Sequence, residues 1–287
     1  MSTVPLEAAL SPEALALLHR LGAAAHVAGA GLWLVGGTVR DALLGRPALD
    51  IDLTSETPAA ELAPVLAHAC GGRVWAASAF GTVKLTFGAQ LLDLATARTE
   101  TYAMPGALPT VAFPATLAQD MARRDFTINA MAASLAPSAF GALTAPHGGL
   151  TDLRAGLVRV LHPDSFRDDA NRTLRAVRYA VRLDFAIEAG TLRLLRSDAR
   201  YLSATTPARV RREMERTLDE PQGARMLREA HRLGLLGALH PALGSPAVSR
   251  ALALAERAGL RGLALWGAVA YAVGPRSVRP VGTRLAA

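Results

Sequence analysis

The sequence predicts an α/β head over residues 1–150, a mixed sheet with flanking helices, followed by an all-helical arm. Three observations lead there. Short apolar runs punctuated by glycine alternate with helical segments as far as about residue 150. After Pro163 the texture changes to long amphipathic segments with apolar residues at helical spacing. The charge changes with it: residues 1–150 carry 8 basic and 11 acidic side chains, residues 151–220 carry 14 and 11, and residues 221–287 carry 9 and 2. The domains expected are a head (1–150), a helical neck (151–220) and a short helical body with an irregular basic tail (221–287).

At 287 residues, 51% hydrophobic and 19% charged, the chain can bury a sizeable core and is too balanced to be disordered. No apolar run reaches the roughly 18 residues of a membrane span. Residues 1–7 lack the basic start and apolar stretch of a signal peptide, so a cytoplasmic protein without a membrane partner is expected. Cys70 is the sole cysteine, which excludes an intrachain disulfide and a Cys-rich zinc site. Of the 31 basic residues 30 are Arg. Their concentration in the C-terminal half suits a polyanionic partner, because a guanidinium binds phosphate through two parallel bonds.

Each element has a local cause. Ser11 caps a helix with Pro12 in its first turn, and Gly22 marks its expected end. Residues 32–35 form a short apolar strand feeding Gly36-Gly37 and a helix over 38–44, which Gly45 and Pro47 stop. A second strand covers 51–54 and a helix 59–69. Residues 83–87 and 91–95 are strands that residues 88–90 join as a hairpin. Residues 104–114 hold three Pro and a Gly and read as a mobile loop, and order resumes over 126–133. Helices are expected over 168–183, 191–197 and 207–218.

Four constellations carry chemistry. In Leu34-Val35-Gly36-Gly37-Thr38-Val39-Arg40-Asp41, a strand runs through two glycines into a helix, so the backbone can approach a phosphate closely. The spacing fits neither a dinucleotide fingerprint nor a P-loop, and a tight turn without ligand is the plain alternative. In Asp50-Ile51-Asp52, side chains at i and i+2 of a strand share a face, so both carboxylates can hold one cation. Asp93 can supply a third carboxylate on that face, and an all-oxygen set favours Mg²⁺ or Mn²⁺. The alternative is an exposed, alternating edge strand. In Arg123-Arg124-Asp125-Phe126-Thr127-Ile128-Asn129-Ala130, two Arg beside an Asp and an Asn offer donors to phosphate and acceptors to ribose hydroxyls, or else form a salt-bridged turn.

The fourth is Asp168-Asp169-Ala170-Asn171-Arg172-Thr173-Leu174-Arg175-Ala176-Val177-Arg178-Tyr179. On a continuous helix Arg172, Arg175, Arg178 and Arg182 share one face with Asp169; the face is mainly Arg, and a solvated charged face is the plain alternative. A carboxylate accepts from an amino group, while Arg donates to ring nitrogens or carbonyls. Cytosine and adenine both present an amino group beside a ring-nitrogen acceptor, and uracil and guanine reverse it. Asp169 and Arg172 could therefore select C and A by side chains alone.

The order and spacing of these motifs resemble the bacterial/eukaryotic-type (class II) CCA tRNA nucleotidyltransferase and poly(A) polymerase family over about residues 30–220. Pro146-His147-Gly148-Gly149-Leu150-Thr151-Asp152-Leu153 and Thr206-Pro207-Ala208-Arg209-Val210-Arg211-Arg212-Glu213 match as well. The resemblance implies a nucleotidyltransferase-type palm in which Asp50 and Asp52 bind catalytic Mg²⁺. It implies that Gly36, Gly37, Arg40 and Arg124 contact the nucleotide, that Asp169 and Arg172 read its base with Arg175 and Arg178 steadying it, and that Arg209 and Glu213 brace the neck. Family members usually carry Glu where Asp168 stands and Asp where Ala145 stands. The function implied is template-independent addition of C and/or A to the 3′ end of tRNA from CTP and ATP with release of pyrophosphate. A partner protein or second enzyme could complete the CCA end. The alternatives are poly(A) synthesis on other RNA, a non-catalytic RNA-binding relative, and nucleotide transfer to a small molecule.

Overall fold

Alternation of apolar and polar residues fixes the central sheet in this computed structural model, which describes residues 2–48, 50–78 and 80–285, with side chains to residue 282. The first unit comprises residues up to Thr101 together with Thr110–Ala155. Its strands are β1 (Trp33–Val35), β2 (Ile51–Ser55), β3 (Arg73–Ala77), β4 (Thr82–Phe87), β5 (Gln90–Thr96), β6 (Thr99–Thr101), β7 (Thr110–Ala112), β8 (Ala132–Ser134) and β9 (Leu143–Thr144). Its helices are α1 (Pro12–Val27), α2 (Gly37–Leu43), α3 (Ala59–Cys70), α4 (Leu117–Ala122) and α5 (Gly149–Arg154). Among the described residues, seven strands form one mixed sheet in the order β3-β4-β5-β2-β1-β8-β9, and β6 pairs with β7 separately.

The β2–β5 pair is parallel and its neighbours β4–β5 and β1–β2 are antiparallel. One face buries Ile51 and Leu53 of β2, Leu92 and Leu94 of β5, and Val83 and Leu85 of β4. Because strand side chains alternate, the residues between them, Asp52, Asp93 and Lys84, point to the opposite face. α3 packs on β4 and on α1, closing the apolar side.

The second unit comprises Tyr102–Pro109 and the chain from Gly156 on. It contains the short parallel pair β10 (Leu157–Val158) and β11 (Ala186–Ile187). Around the pair lie α6 (Ser165–Asp168), α7 (Asn171–Leu183), α8 (Ala189–Asp198), α9 (Pro207–Asp219), α10 (Gly223–Arg232), α11 (Leu235–Leu239), α12 (Pro246–Arg257), α13 (Gly262–Val273) and α14 (Pro275–Leu285). Phe166, Leu174, Val177, Val210, Met226 and Leu236 are in its core. No helix among the described residues is long and apolar enough to cross a membrane.

Several elements depart from the expected ones for physical reasons. α1 runs past Gly22 to Val27, because Gly22 is a packing position. A Cβ there would lie 1.9 Å from the Leu135 carbonyl oxygen. β3 gave no alternation to detect, since all five of its residues are exposed. The expected loop over 104–114 is in part a strand, with Thr110 and Val111 paired across to Thr101 and Glu100. The irregular basic tail is instead the helix α14, whose Val281 is buried while its proline and glycine content hides the pattern. The last two residues of that expected tail lie outside the described residues.

Gly22→Ala should lower stability by about 1–3 kcal/mol through overpacking against Leu135. Helix propensity alone would raise it by about 1 kcal/mol. The shift of the urea midpoint gives the sign, and a higher midpoint would contradict this packing.

Candidate active site

The first unit assembles three of the four constellations. Asp52 is in register with Asp93 across the parallel β2–β5 pair, and Asp93 is in register with Lys84 across β4–β5. The row therefore reads carboxylate, carboxylate, ammonium. Lys84 Nζ donates to both Asp93 oxygens at 2.7 and 3.0 Å, so Asp93 shares its charge with a cation. Asp50 lies just before β2, and its carbonyl accepts from Thr38 Oγ1 at 2.6 Å, which ties the start of β2 to α2.

Asp52 is reached by solvent yet crowded by protein atoms. That desolvation, followed by the charges of Asp93 and Asp50, raises its pKa above the ordinary value, while Arg124 and Lys84 pull the other way. Asp93 and Asp50 add negative charge beside a carboxylate whose pKa burial already raises, and a cation there would relieve it. Among the described residues no three His, Cys, Asp or Glu side chains converge to enclose a metal. That donor set fits Mg²⁺, which characteristically takes one or two carboxylates and completes its octahedron with water and substrate phosphate.

The Gly36-Gly37 turn sits over the Arg-Arg-Asp segment. Gly36 has φ +72°, a conformation that suits glycine, and a Cβ there would be 3.0 Å from Arg124 Nη1. Arg124 thus lies along the turn and also acts electrostatically on Asp52. Arg40, expected at the nucleotide, instead points inward and is 2% exposed. Its guanidinium donates to both oxygens of Asp41 at 2.9 Å and to Asn129 Oδ1 at 2.6 Å, and Asn129 in turn donates to Asp125. Arg40 therefore holds the first and third motifs together from beneath.

Sequence reasoning passed over the anchor of this arrangement, Asp120, which is fully buried. One of its oxygens binds Arg123 and the other Arg124, at 2.8 Å for the latter. Burial by itself would raise the Asp120 pKa, but the Arg124 and Arg123 guanidiniums outweigh it and hold the carboxyl below its ordinary value. The i+3 and i+4 spacing of the two Arg from Asp120 was the available signal. Lys84 was also missed: a connection over 88–90 sets it opposite Leu94, whereas Gln90 belongs to β5 and pairs with Phe87, which brings Lys84 opposite Asp93.

The second unit carries the fourth constellation. The chain breaks between α6 and α7, with Asp169 extended at φ −139° and ψ 99°, so Asp169 is not on the Arg helix. Its carboxylate competes for backbone donors, accepting from Asn171 N–H at 3.0 Å. Its Oδ1 also pairs with Arg209 Nη2 at 2.9 Å. Arg172 is buried and donates to Ser165 Oγ at 2.8 Å. Half of the Arg face, Arg178 and Arg182, is balanced by acids of the neighbouring helix and its C-terminal end. Arg178 pairs with Glu213 at 2.8 Å and Glu220 at 3.6 Å, and Arg182 with Glu220 at 3.6 Å. Burial alone would weaken the Arg178 charge, but Glu213 outweighs it and raises the pKa. Arg175 and Arg178 flank the Tyr179 ring, 5.6 and 5.0 Å from its centroid.

Asp120→Asn should cost about 3–5 kcal/mol by leaving two guanidiniums without their counter-charge. Since the folded pKa of Asp120 is lowered from 3.8, its contribution is fully present above about that pH and fades as pH falls below it. The stability gap between wild type and variant, followed by denaturant titration, should be constant from neutrality to about pH 4 and narrow under it.

Residues 32–159 match the Poly A polymerase head domain, and residues 184–245 match the probable RNA and SrmB-binding site of polymerase A. The A-adding tRNA nucleotidyltransferase of Aquifex aeolicus is 49% identical over 164 residues, 57% of this chain and 20% of that protein. The CC-adding tRNA nucleotidyltransferase of Deinococcus radiodurans is 40% identical over 200 residues, 68% of this chain and 53% of that protein. The chain spans from a fifth to about half of the length of these curated relatives. Among solved structures, an apo CCA-adding enzyme superposes with a TM-score of 0.89 at 33% identity, over 100% of this chain and 71% of that one. The Thermotoga maritima CCA-adding enzyme complexed with tRNA gives a TM-score of 0.83 at 32% identity, over 100% and 70%. Matched along its whole length by CCA-adding enzymes, and by the polymerase head model across its carboxylate row, the chain belongs to the tRNA nucleotidyltransferase and poly(A) polymerase family.

Proposed function

We propose that the chain adds C and/or A to the 3′ end of tRNA from CTP and ATP, without a nucleic-acid template, releasing pyrophosphate. The observation that carries this reading is the carboxylate row: Asp52 in register with Asp93, and Asp50 two residues before it. The substrate classes follow from the relatives, which include structures of CCA-adding enzymes complexed with ATP, with CTP and with tRNA. A cytoplasmic site of action and a second enzyme or partner completing the CCA end belong to the same reading.

Asp50 and Asp52 would hold Mg²⁺, with Mn²⁺ as the alternative. Bound there, the ion supplies positive charge that favours the attacking 3′ oxygen and the departing pyrophosphate. The residues themselves do the rest. Asp93 keeps the row acidic while Lys84 limits the repulsion within it. The Gly36-Gly37 turn and Arg124 receive the triphosphate, with Arg40 supporting the turn from below. Asp169 and Arg172 read the base, steadied by Arg175 and Arg178. Arg209 and Ser165 fix the orientation of the two reading groups by the bonds described above.

Asp52→Asn tests the row. Nucleotide transfer should fall by more than the roughly 100-fold that loss of an outer-shell partner costs, while RNA binding persists. A variant as active as wild type would remove the metal assignment. Arg172→Ala tests base choice: discrimination of CTP and ATP against UTP and GTP should shrink by about 1–3 kcal/mol, the worth of one paired contact. Unchanged selectivity in single-nucleotide competition would sink the side-chain-template idea.

A further inference from the structure

Lys84 is the exception in the chain's use of basic residues, since the other 30 are Arg. It stands on β4 at the end of the carboxylate row. Asp93 of β5 is in register with it on one side and with Asp52 of β2 on the other. Neighbouring strands lie about 4.8 Å apart, so the sheet brings the Asp52 and Asp93 side chains within reach of one cation. The side chains do not take up that arrangement. Lys84 Nζ engages both Asp93 oxygens, at 2.7 and 3.0 Å. Among the described residues no three His, Cys, Asp or Glu side chains converge on a common point.

The identity of the residue matters physically. An Arg would clamp Asp93 through two parallel bonds from a planar fork. An ammonium is a compact, strongly hydrated point charge on a flexible four-carbon stem, and it lets go more easily. The Lys84 and Asp93 side chains remain 39% and 36% exposed, and ion pairs of that exposure are weak. A divalent cation carries twice the charge and takes carboxylate oxygens directly. The ammonium and the divalent ion therefore compete for the same two oxygens. Exchanging one for the other needs only side-chain rotation, because Asp93 and Lys84 both lie on the sheet face away from the apolar core.

We infer that Lys84 withholds Asp93 from the divalent cation. At rest Asp50 and Asp52 alone are available to the ion, and Asp93 joins them only when its bonds to Lys84 break. The inference rests on the proposal that Asp50 and Asp52 hold the cation, and it adds what sets the affinity. Lys84 is thus a positioning residue that acts through Asp93. It keeps the free site weak, so that the ion is held firmly only together with the triphosphate, whose phosphates supply further oxygens.

The test titrates the full chain with Mn²⁺ alone, without nucleotide, and follows the bound ion by electron paramagnetic resonance. Lys84→Met should bind Mn²⁺ at least about tenfold more tightly than wild type, because ligand charge tunes cation affinity over decades. Lys84→Arg, which restores a clamp on Asp93, should return the affinity to the wild-type value or below it. The gain should vanish when Lys84→Met is combined with Asp93→Asn. Equal Mn²⁺ affinity in wild type and Lys84→Met overturns the inference. A gain that survives Asp93→Asn overturns it too, because that gain is through-space charge and not release of Asp93. Asp52→Asn separates this inference from the metal assignment. Binding that Asp52→Asn abolishes but Lys84→Met leaves unaltered defeats the inference alone. Binding that Asp52→Asn leaves unchanged, with Lys84 or Met at position 84, defeats the metal assignment and the inference with it.

Discussion

The parallel pairing of β2 with β5 is the constraint on which the rest of the first unit depends. Parallel neighbours need a crossover, and residues 56–89 supply it with α3, β3 and β4. The crossover covers the apolar face of the sheet with α3 and delivers β4 to the far side of β5. Burial of Ile51, Leu53, Leu92, Leu94, Val83 and Leu85 then leaves Asp52, Asp93 and Lys84 no choice of face. A slip of one residue would drive the carboxylates into the core, so hydrophobic register and the placement of charge are one and the same requirement.

Buried charge elsewhere follows a related logic. Asp120 holds Arg123 and Arg124, Asp41 and Asn129 hold Arg40, and Glu213 holds Arg178. Such pairs contribute little net stability compared with apolar residues of the same shape, but breaking one is costly, and that combination fixes position. The arginines thus divide by partner. Those with buried acids orient the motifs, whereas Arg225, Arg228 and Arg232 of α10 stay 45%, 50% and 61% exposed beside Asp184, Glu256 and Glu229.

Much of this was legible in the sequence wherever the cause was local. The Gly-Gly turn between β1 and α2, a hairpin joining β4 to β5 and the change to helices after Pro163 are short-range patterns found where they were expected. The hairpin turn is one residue shorter, with Gln90 already in β5, and Asp50 lies just before β2. Part of what escaped depended on distant chain, and part on side chains that bond close by in sequence. Gly22 reads as a helix end until Leu135 is seen to press against it. The acids that balance the Arg face, Glu213 and Glu220, come from the far side of a helix–helix contact, so no periodicity within 168–183 could reveal them. The break at Asp169 reflects a side chain that bonds its own backbone, a competition that helical spacing ignores. Arg40 was placed by motif at the nucleotide, whereas the Asp41 and Asn129 acceptors turn it inward.

The central claim is template-independent addition of C and/or A by this carboxylate row, and primer extension with single labelled nucleotides in Mg²⁺ tests it most directly. The acceptors are tRNA lacking CCA, tRNA ending in C or in CC, and an unstructured RNA. The account predicts incorporation of CTP, ATP or both on the tRNA acceptors, ending after the few residues of the CCA end, with UTP and GTP rejected. No incorporation on any acceptor that the protein binds would contradict it.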